Sequence, residues 1–454
     1  MPEIDELRKK MEDITLEMLK LLETRTNIAA KIGKIKNNLN INVTDEKRET
    51  ELREKIIAEC KDINLDEKIG TKFLNFLLNE SVKVQSKNSQ THLTIFLKAK
   101  EMESNGKKII HLEVGEPDFS PPESVKKSLS QVYEKGFGKY GPVKGLPEFR
   151  QKIARFCNEN FDCMVNSDNI LIVPGARFGV FLSISTLLNP GDEIIVIEPA
   201  WPAYRECAIN SGVKVRTIST SLQSKWEPTI EQINSVINSN TKMIVLNYPN
   251  NPTGKILPEK LLDEIMNIVK EKNLYVLSDE IYSNYANKSW KSILSYNYEK
   301  AIVTQSFSKS HSMTGYRIGY VVSSSEINAK LTKLQALCIT NVSEPIQFIA
   351  MNSIFDDVSK NTELIHERLE TLIENCQKIG LEFVVPDGAM YVFAKINNNN
   401  TNTTELAQKL LERGLAIAPG KAFGNYGEFF RISACIKKES IIEGMNILSS
   451  EINK

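Results

Sequence analysis

Apolar residues are spaced differently in the two parts of the chain, and the first part follows a helical period. Steps of three and four recur without a break, as in a helix that packs along another helix. The apolar positions are Ile4, Leu7, Met11, Ile14, Met18, Leu21, Ile28, Ile32, Ile35 and Leu39. Arg25 interrupts this seam. Such a helix rises about 1.5 Å per residue and reaches on the order of 50 Å, longer than a globule of residues 1–90 is wide. We therefore expect a second copy of the chain to cover the seam.

Two further helices are predicted before residue 90. The first begins near Thr44, a residue type that favours the N-cap, and runs towards Cys60, and the second spans about 65–85. Polar residues interrupt the apolar faces of both helices; they are Arg48, Glu49, Ser81 and Gln85. Each of them alone is typical of a solvated or snorkelling side chain. Because they share one seam with Arg25, and a cation among apolar residues needs a counter-charge, the three helices are predicted to bind an anion.

After a polar stretch at 86–90 the pattern changes to short β-rich runs that alternate with longer, helix-like stretches. The runs lie at 170–173, 194–197, 243–246, 275–277, 302–304 and 318–322. This alternation predicts an α/β domain with a largely parallel sheet. A further apolar run at 391–396 precedes the low-complexity stretch 397–404, which we interpret as a surface loop leading into a helix near Thr404.

Composition and charge narrow the possible partners. The 454 residues include 57 basic and 57 acidic ones and so carry no net charge, which gives no global electrostatic footprint for nucleic acid or an anionic membrane. No apolar run approaches the roughly 18 residues that span a bilayer, and the N-terminus lacks a signal-peptide pattern. Seven cysteines without a CxxC pair and four scattered histidines predict reduced thiols and no metal site. We expect a cytoplasmic protein that acts on small molecules.

Polar residues cluster directly after the strand-like runs, where parallel sheets place their sites. The turn 174–177 (Pro-Gly-Ala-Arg) precedes an apolar helix, a geometry that presents free N–H groups to a phosphate. The loop 247–254 is rich in turn residues, and Asp279 directly follows the stretch 275–278. Residues 306–319 (Ser-Phe-Ser-Lys-Ser-His-Ser-Met-Thr-Gly-Tyr-Arg-Ile-Gly) follow the run at 302–304. We therefore predict one site at this edge of the sheet.

The first part of the chain resembles the all-helical, type II chorismate mutase family over residues 4–85. The site pattern of that family falls on Arg8, Arg25, Lys36, Asp45, Arg48, Glu49, Ser81 and Gln85. The resemblance implies an all-α domain at 1–90 that forms an intertwined dimer and rearranges chorismate to prephenate. This unimolecular pericyclic reaction needs no nucleophile or metal, only a site that folds a dianion and stabilises charge on its ether oxygen.

The resemblance also implies a role for each of these polar residues. The three arginines, Arg8, Arg25 and Arg48, bind the two carboxylates, and Arg8 reaches across the dimer. Lys36 and Gln85 donate to the ether oxygen, and Glu49 accepts from the ring hydroxyl. Asp45 and Ser81 complete the substrate site.

Residues 91–454 resemble the fold-type I, class I pyridoxal-phosphate aminotransferases. Residues 306–319 match the lysine-attachment motif of that family position by position. The resemblance implies a large domain with a parallel or mixed sheet at about 135–340. A small α+β domain is implied at about 91–134 and 341–454.

The cofactor implied by this resemblance is pyridoxal 5'-phosphate. Lys309 is the lysine that attaches it and moves a proton at the substrate, and Asp279 keeps its ring nitrogen protonated. Its ring contacts Asn251, Tyr282 and Trp201. The phosphate is bound by a larger set: Ala176, Arg177, Ser306, Ser308, Arg317 and Tyr140 of the other subunit.

Substrate binding is implied for Arg431, which clamps the α-carboxylate with help from Gly115 and Asn251. Arg177 stands where acid-specific relatives have a lysine that binds a distal carboxylate; alternatively it serves only the phosphate. Because the helical part makes prephenate, we predict transamination of prephenate to arogenate, with glutamate or aspartate as donor. Phenylpyruvate, 4-hydroxyphenylpyruvate or general aspartate transamination are the alternative reactions.

Two alternatives for the helical part are not mutases. It could be the DNA-binding module of a regulator with a pyridoxal-phosphate fold, but residues 1–90 hold 17 acidic and 17 basic residues and one very long seam, unlike a compact basic module. It could also only sense a metabolite or dimerise the chain. The complete set of site residues disfavours both.

Overall fold

The structure, a computed structural model, describes residues 2–38, 46–86, 92–397 and 402–453. The chain divides into two compact units, Met1–Ser89 and Gln90–Lys454. Within the described ranges, none of the helices has the length and apolar character needed to cross a membrane.

The first unit consists of three helices at the predicted places: α1 (Pro2–Asn38), α2 (Glu46–Asp62) and α3 (Glu67–Ser86). Helix α1 packs along α3 so closely that a Cβ at Gly33 would lie 2.7 Å from the Cα of Gln85, which requires glycine at this position. The predicted N-cap Thr44 and the end of the seam at Leu39 lie outside the described residues.

The apolar seam of α1 is not covered within one copy of the chain. Ile4, Leu7, Met11, Ile14, Ile28, Ile32 and Ile35 are between 42% and 69% exposed. Few apolar side chains of this unit are buried, among them Ala29, Cys60 and Leu74. Because burial of apolar surface supplies most of the stability of a small domain, this unit alone has a weak core.

The second unit contains twelve helices and thirteen strands among its described residues. The helices are α4 (His92–Ser104), α5 (Glu123–Val132), α6 (Pro147–Asn160), α7 (Ala176–Leu187), α8 (Ala203–Asn210), α9 (Ile230–Val236), α10 (Glu259–Glu271), α11 (Ser325–Ile339), α12 (Glu344–Ser353), α13 (Ser359–Lys378), α14 (Thr403–Glu412) and α15 (Lys438–Ile452). The strands are β1 (Ile110–His111), β2 (Ile170–Val173), β3 (Glu193–Glu198), β4 (Lys214–Ser219), β5 (Thr241–Leu246), β6 (Tyr275–Asp279), β7 (Ala301–Ser306), β8 (Gly319–Ser323), β9 (Leu381–Phe383), β10 (Tyr391–Ile396), β11 (Leu415–Ala416), β12 (Ala418–Pro419) and β13 (Phe429–Ser433).

A seven-stranded sheet forms the centre of this unit, in the order β2-β8-β7-β6-β5-β3-β4. Its strands pair in parallel except β8, which is antiparallel to both β2 and β7. Strand β8 follows β7 without an intervening α-helix, and an antiparallel neighbour needs no long crossover. The sheet is therefore mixed, and the fold agrees with the expected large domain.

Strand β4 was not predicted from the sequence. It lies at the edge of the sheet, its residues are mostly half-buried, and four of the six are polar, with Val215 and Ile218 as the apolar ones. A continuous apolar run is typical only of strands that are covered on both faces.

A smaller part of the unit has its own core around the antiparallel sheet β12-β13-β10-β9 and the parallel pair β1-β11. The predicted loop before α14 includes residues 398–401, which lie outside the described ones. Val125 of α5 and Phe348 of α12 pack into the core of the large sheet, although both lie outside the range 135–340 expected for the large domain.

Candidate active site

A cavity of about 440 Å³ lies at the carboxyl ends of the strands of the large sheet; we call it the central cavity. Most of the residues predicted for the cofactor and its substrate line it: Gly115, Ala176, Arg177, Trp201, Asn251, Asp279, Tyr282, Ser308, Lys309, Arg317 and Arg431. Many of them lie at the ends of strands of the large sheet or directly after them, whereas Arg431 lies on β13 of the smaller sheet.

Lys309 lies in the turn after β7 and points into the central cavity. Its Nζ donates a hydrogen bond to the carbonyl of Gly115 at 2.5 Å. Burial lowers the pKa of the Lys309 amine below its ordinary value. A less basic amine is deprotonated more easily, so this lysine is suited to act as nucleophile and proton carrier.

Asp279 is buried at the end of β6 and is held by two hydroxyl donors. Tyr204 donates to its Oδ2 at 2.8 Å and Thr304 donates to its Oδ1 at 3.2 Å. Burial raises the pKa of the Asp279 carboxyl to about 6, against the effect of these hydrogen bonds. A buried carboxylate of this kind is stabilised by a cation, and a protonated pyridine nitrogen supplies one.

Two arginines meet at the start of α7. Gly175 has a φ of 88°, and a Cβ there would lie 2.6 Å from Nη2 of Arg317, so only glycine fits this turn. Burial and the neighbouring Arg177 lower the pKa of the Arg317 guanidinium. The Arg177 guanidinium lies over the Trp201 ring, 4.8 Å from its centre. Two cations beside a helix N-terminus make a site for an anion such as a phosphate.

Ser306 does not line the central cavity. Its hydroxyl donates to Oγ of Ser308 at 2.8 Å and accepts from the Ser308 N–H at 3.0 Å. Ser306 therefore positions Ser308, which does line the central cavity. Tyr140 is 89% exposed in one copy of the chain, and its predicted role in another subunit remains a prediction.

Arg431 is buried on β13 and forms the opposite side of the cavity. Its Nη1 donates to Oδ1 of Asn251 at 2.8 Å, and its Nη2 donates to the carbonyl of Glu113. The guanidinium lies 4.4 Å from the ring centre of Tyr391 and 5.0 Å from that of Phe423. These contacts fix the plane of the guanidinium, which suits it to bind a carboxylate.

Several residues of the cavity were not found from the sequence, among them Tyr204, Tyr391, Glu113 and Asn247. A 2.8 Å hydrogen bond joins the hydroxyls of Tyr391 and Tyr282, so Tyr391 helps to position Tyr282, which was predicted from the sequence. Asn247 opens the loop 247–254 that was predicted, and its position directly after β5 was the available signal. The other three stand within apolar surroundings or outside any motif.

In the helical unit, two of the predicted residues, Arg25 and Ser81, meet between α1 and α3. Nη1 of Arg25 donates to Oγ of Ser81 at 2.5 Å and to the carbonyl of Leu77 at 2.8 Å, and burial lowers the pKa of its guanidinium. Oε1 of Gln85 is buried and has no hydrogen-bond partner among the described residues. A buried amide oxygen without a partner and a half-buried cation are both costly in an apolar environment, and both are typical of a site for a polar ligand.

The other predicted mutase residues lie on α1 and α2 or outside the described residues. Arg48 on α2 forms an ion pair with Glu51 at 3.0 Å, Glu49 follows it, and Lys36 lies in the last turn of α1. Asp45 lies outside the described residues. Arg8 is exposed and lies seventeen residues before Arg25, about 25 Å along the helix axis. It therefore does not reach Arg25 within one copy.

Comparisons with known proteins agree with this geometry. The model of the family "Aminotransferase class I and II" matches residues 107–448, and that of "Chorismate mutase type II" matches residues 7–86. An aspartate aminotransferase of Thermotoga maritima is 32% identical over 359 residues, 78% of this chain and 94% of that protein. A probable aspartate/prephenate aminotransferase of Aquifex aeolicus is 31% identical over 378 residues, 80% of this chain and 95% of that protein.

Solved structures show the same relationship. The crystal structure of the aspartate aminotransferase of Thermotoga maritima matches with a TM-score of 0.77 at 30% identity, over 81% of this chain and 99% of that one. The aromatic aminotransferase of Pyrococcus horikoshii matches with a TM-score of 0.74 at 28% identity, over 79% of this chain and 98% of that one.

Pyridoxal phosphate is the cofactor of this family, and the central cavity fits it. Arg177 and Arg317 with the N-terminus of α7 suit its phosphate, and the buried Asp279 suits its ring nitrogen. The amine of Lys309 lies in the same cavity. The chain thus joins an isomerase to a transferase in a bifunctional enzyme of aromatic biosynthesis. By its sequence and its structure it belongs to the class I and II aminotransferases, with a type II chorismate mutase domain in front.

Proposed function

We propose that this chain rearranges chorismate to prephenate in its first unit and transaminates prephenate to arogenate in its second, with glutamate or aspartate as donor. The observation that carries this proposal is Arg177, which lines the same cavity as Arg431 in addition to Lys309 and Arg317 and whose side chain is proposed to bind the substrate beside the phosphate. Prephenate has an α-keto acid and a separate carboxylate on its ring. Arg431 suits the first group, and the planar fork of Arg177 suits the second.

In the transaminase unit the chain's own residues hold and move protons. Bound pyridoxal phosphate withdraws electrons from the α-carbon of the amino acid or keto acid. Lys309 carries the proton that leaves or joins this carbon, and Asp279 holds the proton of the ring nitrogen. Asn251 and Arg431, joined by a 2.8 Å hydrogen bond, fix the carboxylate end of the substrate.

The amino acceptor depends on whether the Arg177 side chain binds the substrate or only the cofactor phosphate. If Arg177 serves only the phosphate, the enzyme is a general aspartate aminotransferase or acts on phenylpyruvate and 4-hydroxyphenylpyruvate. The relatives carry both kinds of name: the Thermotoga protein is named for aspartate, and the Aquifex protein for aspartate and prephenate. The fusion to a mutase that makes prephenate supports prephenate as the acceptor.

The Arg177→Ala variant tests the acceptor. We expect kcat/KM for prephenate to fall about 100-fold, because a charge-assisted, bidentate pair to the ring carboxylate is lost. Phenylpyruvate has no second carboxylate, so its kcat/KM should fall much less, and Arg177→Lys should keep part of the prephenate activity. Steady-state kinetics with saturating pyridoxal phosphate measures all three. An equal fall for both acceptors, or none for prephenate, would contradict the proposal.

For the first unit we propose a homodimer with the mutase sites between two copies. The exposed seam of α1 supports this, since its described positions from Ile4 to Ile35 are apolar except Arg25 and one copy leaves them largely uncovered. Arg8 supports it too, because it lies about 25 Å along α1 from Arg25 and joins a site only through a second chain. Arg25, Ser81 and Gln85 form the part of the site that one copy supplies.

A further inference from the structure

A histidine between two carboxylates joins helix α4 to the wall of the central cavity. Nδ1 of His111 lies 2.8 Å from Oε1 of Glu113, and Nε2 of His111 lies 3.0 Å from Oε1 of Glu103 on α4. Both ring nitrogens therefore face a carboxylate oxygen. An imidazole that donates from both nitrogens is protonated and carries a positive charge.

The carboxylate of Glu113 is buried behind the cavity wall. The residue is 1% exposed, and its Oε2 has no hydrogen-bond partner in the part of the chain that the structure describes. Its backbone carbonyl faces the other way and accepts the hydrogen bond from Nη2 of Arg431. A buried carboxylate is costly without a counter-charge, and His111 is the group that donates to it.

Helix α4 brings a side chain to the cavity from the other side of His111. Phe96 lines the central cavity, and its ring lies edge-on to the His111 ring at 6.4 Å. Lys100, one turn further on, pairs with Glu103 at 2.8 Å. The face of α4 that carries Phe96 and Glu103 is therefore directed at His111. The contact between His111 and Glu103 fixes the distance of this face from the wall of the central cavity.

We propose that His111 is a positioning residue for substrate binding. As an imidazolium it holds Glu103 and Glu113 together and so fixes Phe96 and the carbonyl partner of Arg431 around the substrate. This inference rests on the proposed role of Arg431 in binding the substrate carboxylate. It does not depend on which 2-oxo acid is the acceptor.

The charges around His111 determine the pH range in which its imidazole is protonated. The hydrogen bond to Glu113 raises the pKa of His111, burial opposes the rise, and Glu103 adds to it. Lys100 lies beyond Glu103, and the neighbouring strand β11 contributes Leu415 and Ala416, which carry no charge. His111 is therefore charged below this raised pKa and loses its charge as the pH rises through it. Substrate binding should weaken over the same range.

The His111→Gln variant of the holoenzyme tests the inference. Glutamine keeps a hydrogen-bond donor but cannot take up the proton. We expect KM for glutamate, and the Kd of succinate measured by calorimetry, to rise about tenfold, with kcat changed less than about twofold. The weakening of succinate binding at high pH should be absent. Unchanged affinity with the pH dependence of the wild type would overturn the proposal.

The Glu103→Gln variant gives a second test that does not depend on a buried position. Removing this carboxylate should move the weakening of succinate binding to lower pH by about one unit, because one group that favours the imidazolium is lost. Glu101→Gln, an exposed change on the same helix, is the matched control and should leave the profile in place. Equal profiles for both variants would refute the role of His111. Failure of the wild type to use prephenate would refute the proposed acceptor but leave these measurements unaffected.

Discussion

Replacing Lys309 by alanine is expected to abolish transamination by the full-length chain and to leave the rearrangement of chorismate unchanged. Its amine lies in the central cavity, and burial lowers its pKa. Loss of a positioned proton carrier costs up to about 10⁴-fold in rate, and the covalent anchor of the cofactor is lost as well. Both activities are measured on the same preparation, transamination with glutamate and chorismate consumption without any amino donor.

The matched control for this change is Lys330→Ala. Lys330 is exposed on α11 and forms a surface ion pair with Glu326, which contributes little to stability. This variant should keep both activities. A Lys309→Ala protein that still transaminates at more than a few per cent of the wild-type rate would contradict the assignment of the lysine. A parallel loss of mutase activity would show that the variant is misfolded or that the two units depend on each other.

Replacing Arg25 by alanine is expected to affect the mutase and not the transaminase. Mutase activity should fall about 10²- to 10³-fold, the range observed when one preorganised donor to a charged transition state is removed. Arg25 is held by Ser81 and Leu77 in a half-buried position, so its charge acts in a poorly hydrated place. Transamination should remain at the wild-type rate. Initial rates of chorismate consumption measure the first effect.

Two further variants show whether the effect of Arg25 is chemical. Lys20→Ala removes an exposed cation from the same helix and should leave the mutase rate unchanged. Arg25→Lys keeps the charge but not the fork, and an intermediate rate is expected. Thermal unfolding of the first unit separates a loss of catalysis from a loss of structure. A folded Arg25→Ala protein with full mutase activity would refute the proposed site.

Local patterns revealed most of the site because its residues follow strands directly. Asp279 ends β6 and Lys309 follows β7, so a strand and its polar continuation appear together in the sequence. Tyr204 and Tyr391 lack such a signal, since Tyr391 stands in an apolar run and Tyr204 lies in a helix, outside any polar stretch that follows a strand. Only the folded chain shows that their hydroxyls contact Asp279 and Tyr282.

In the helical unit, too, there are physical reasons why some features could be predicted from the sequence and others could not. The seam period placed α1 correctly and singled out Arg25 and its neighbours on α3. Arg8 is exposed in one copy of the chain and joins the site only in the proposed dimer, so one copy does not test its predicted role. His111 and Glu113 were not predicted because His111 ends a two-residue strand and Glu113 follows it, a segment too short to show a periodic pattern.

The passage of nitrogen from glutamate to the product of the mutase tests the central claim most directly. The purified chain with pyridoxal phosphate is given chorismate and nitrogen-15-labelled glutamate, and the products are identified by mass spectrometry. The account predicts that prephenate forms first and that the label then appears in arogenate. Accumulation of prephenate without labelled arogenate would contradict it, if the same enzyme converts added oxaloacetate or phenylpyruvate to the labelled amino acid.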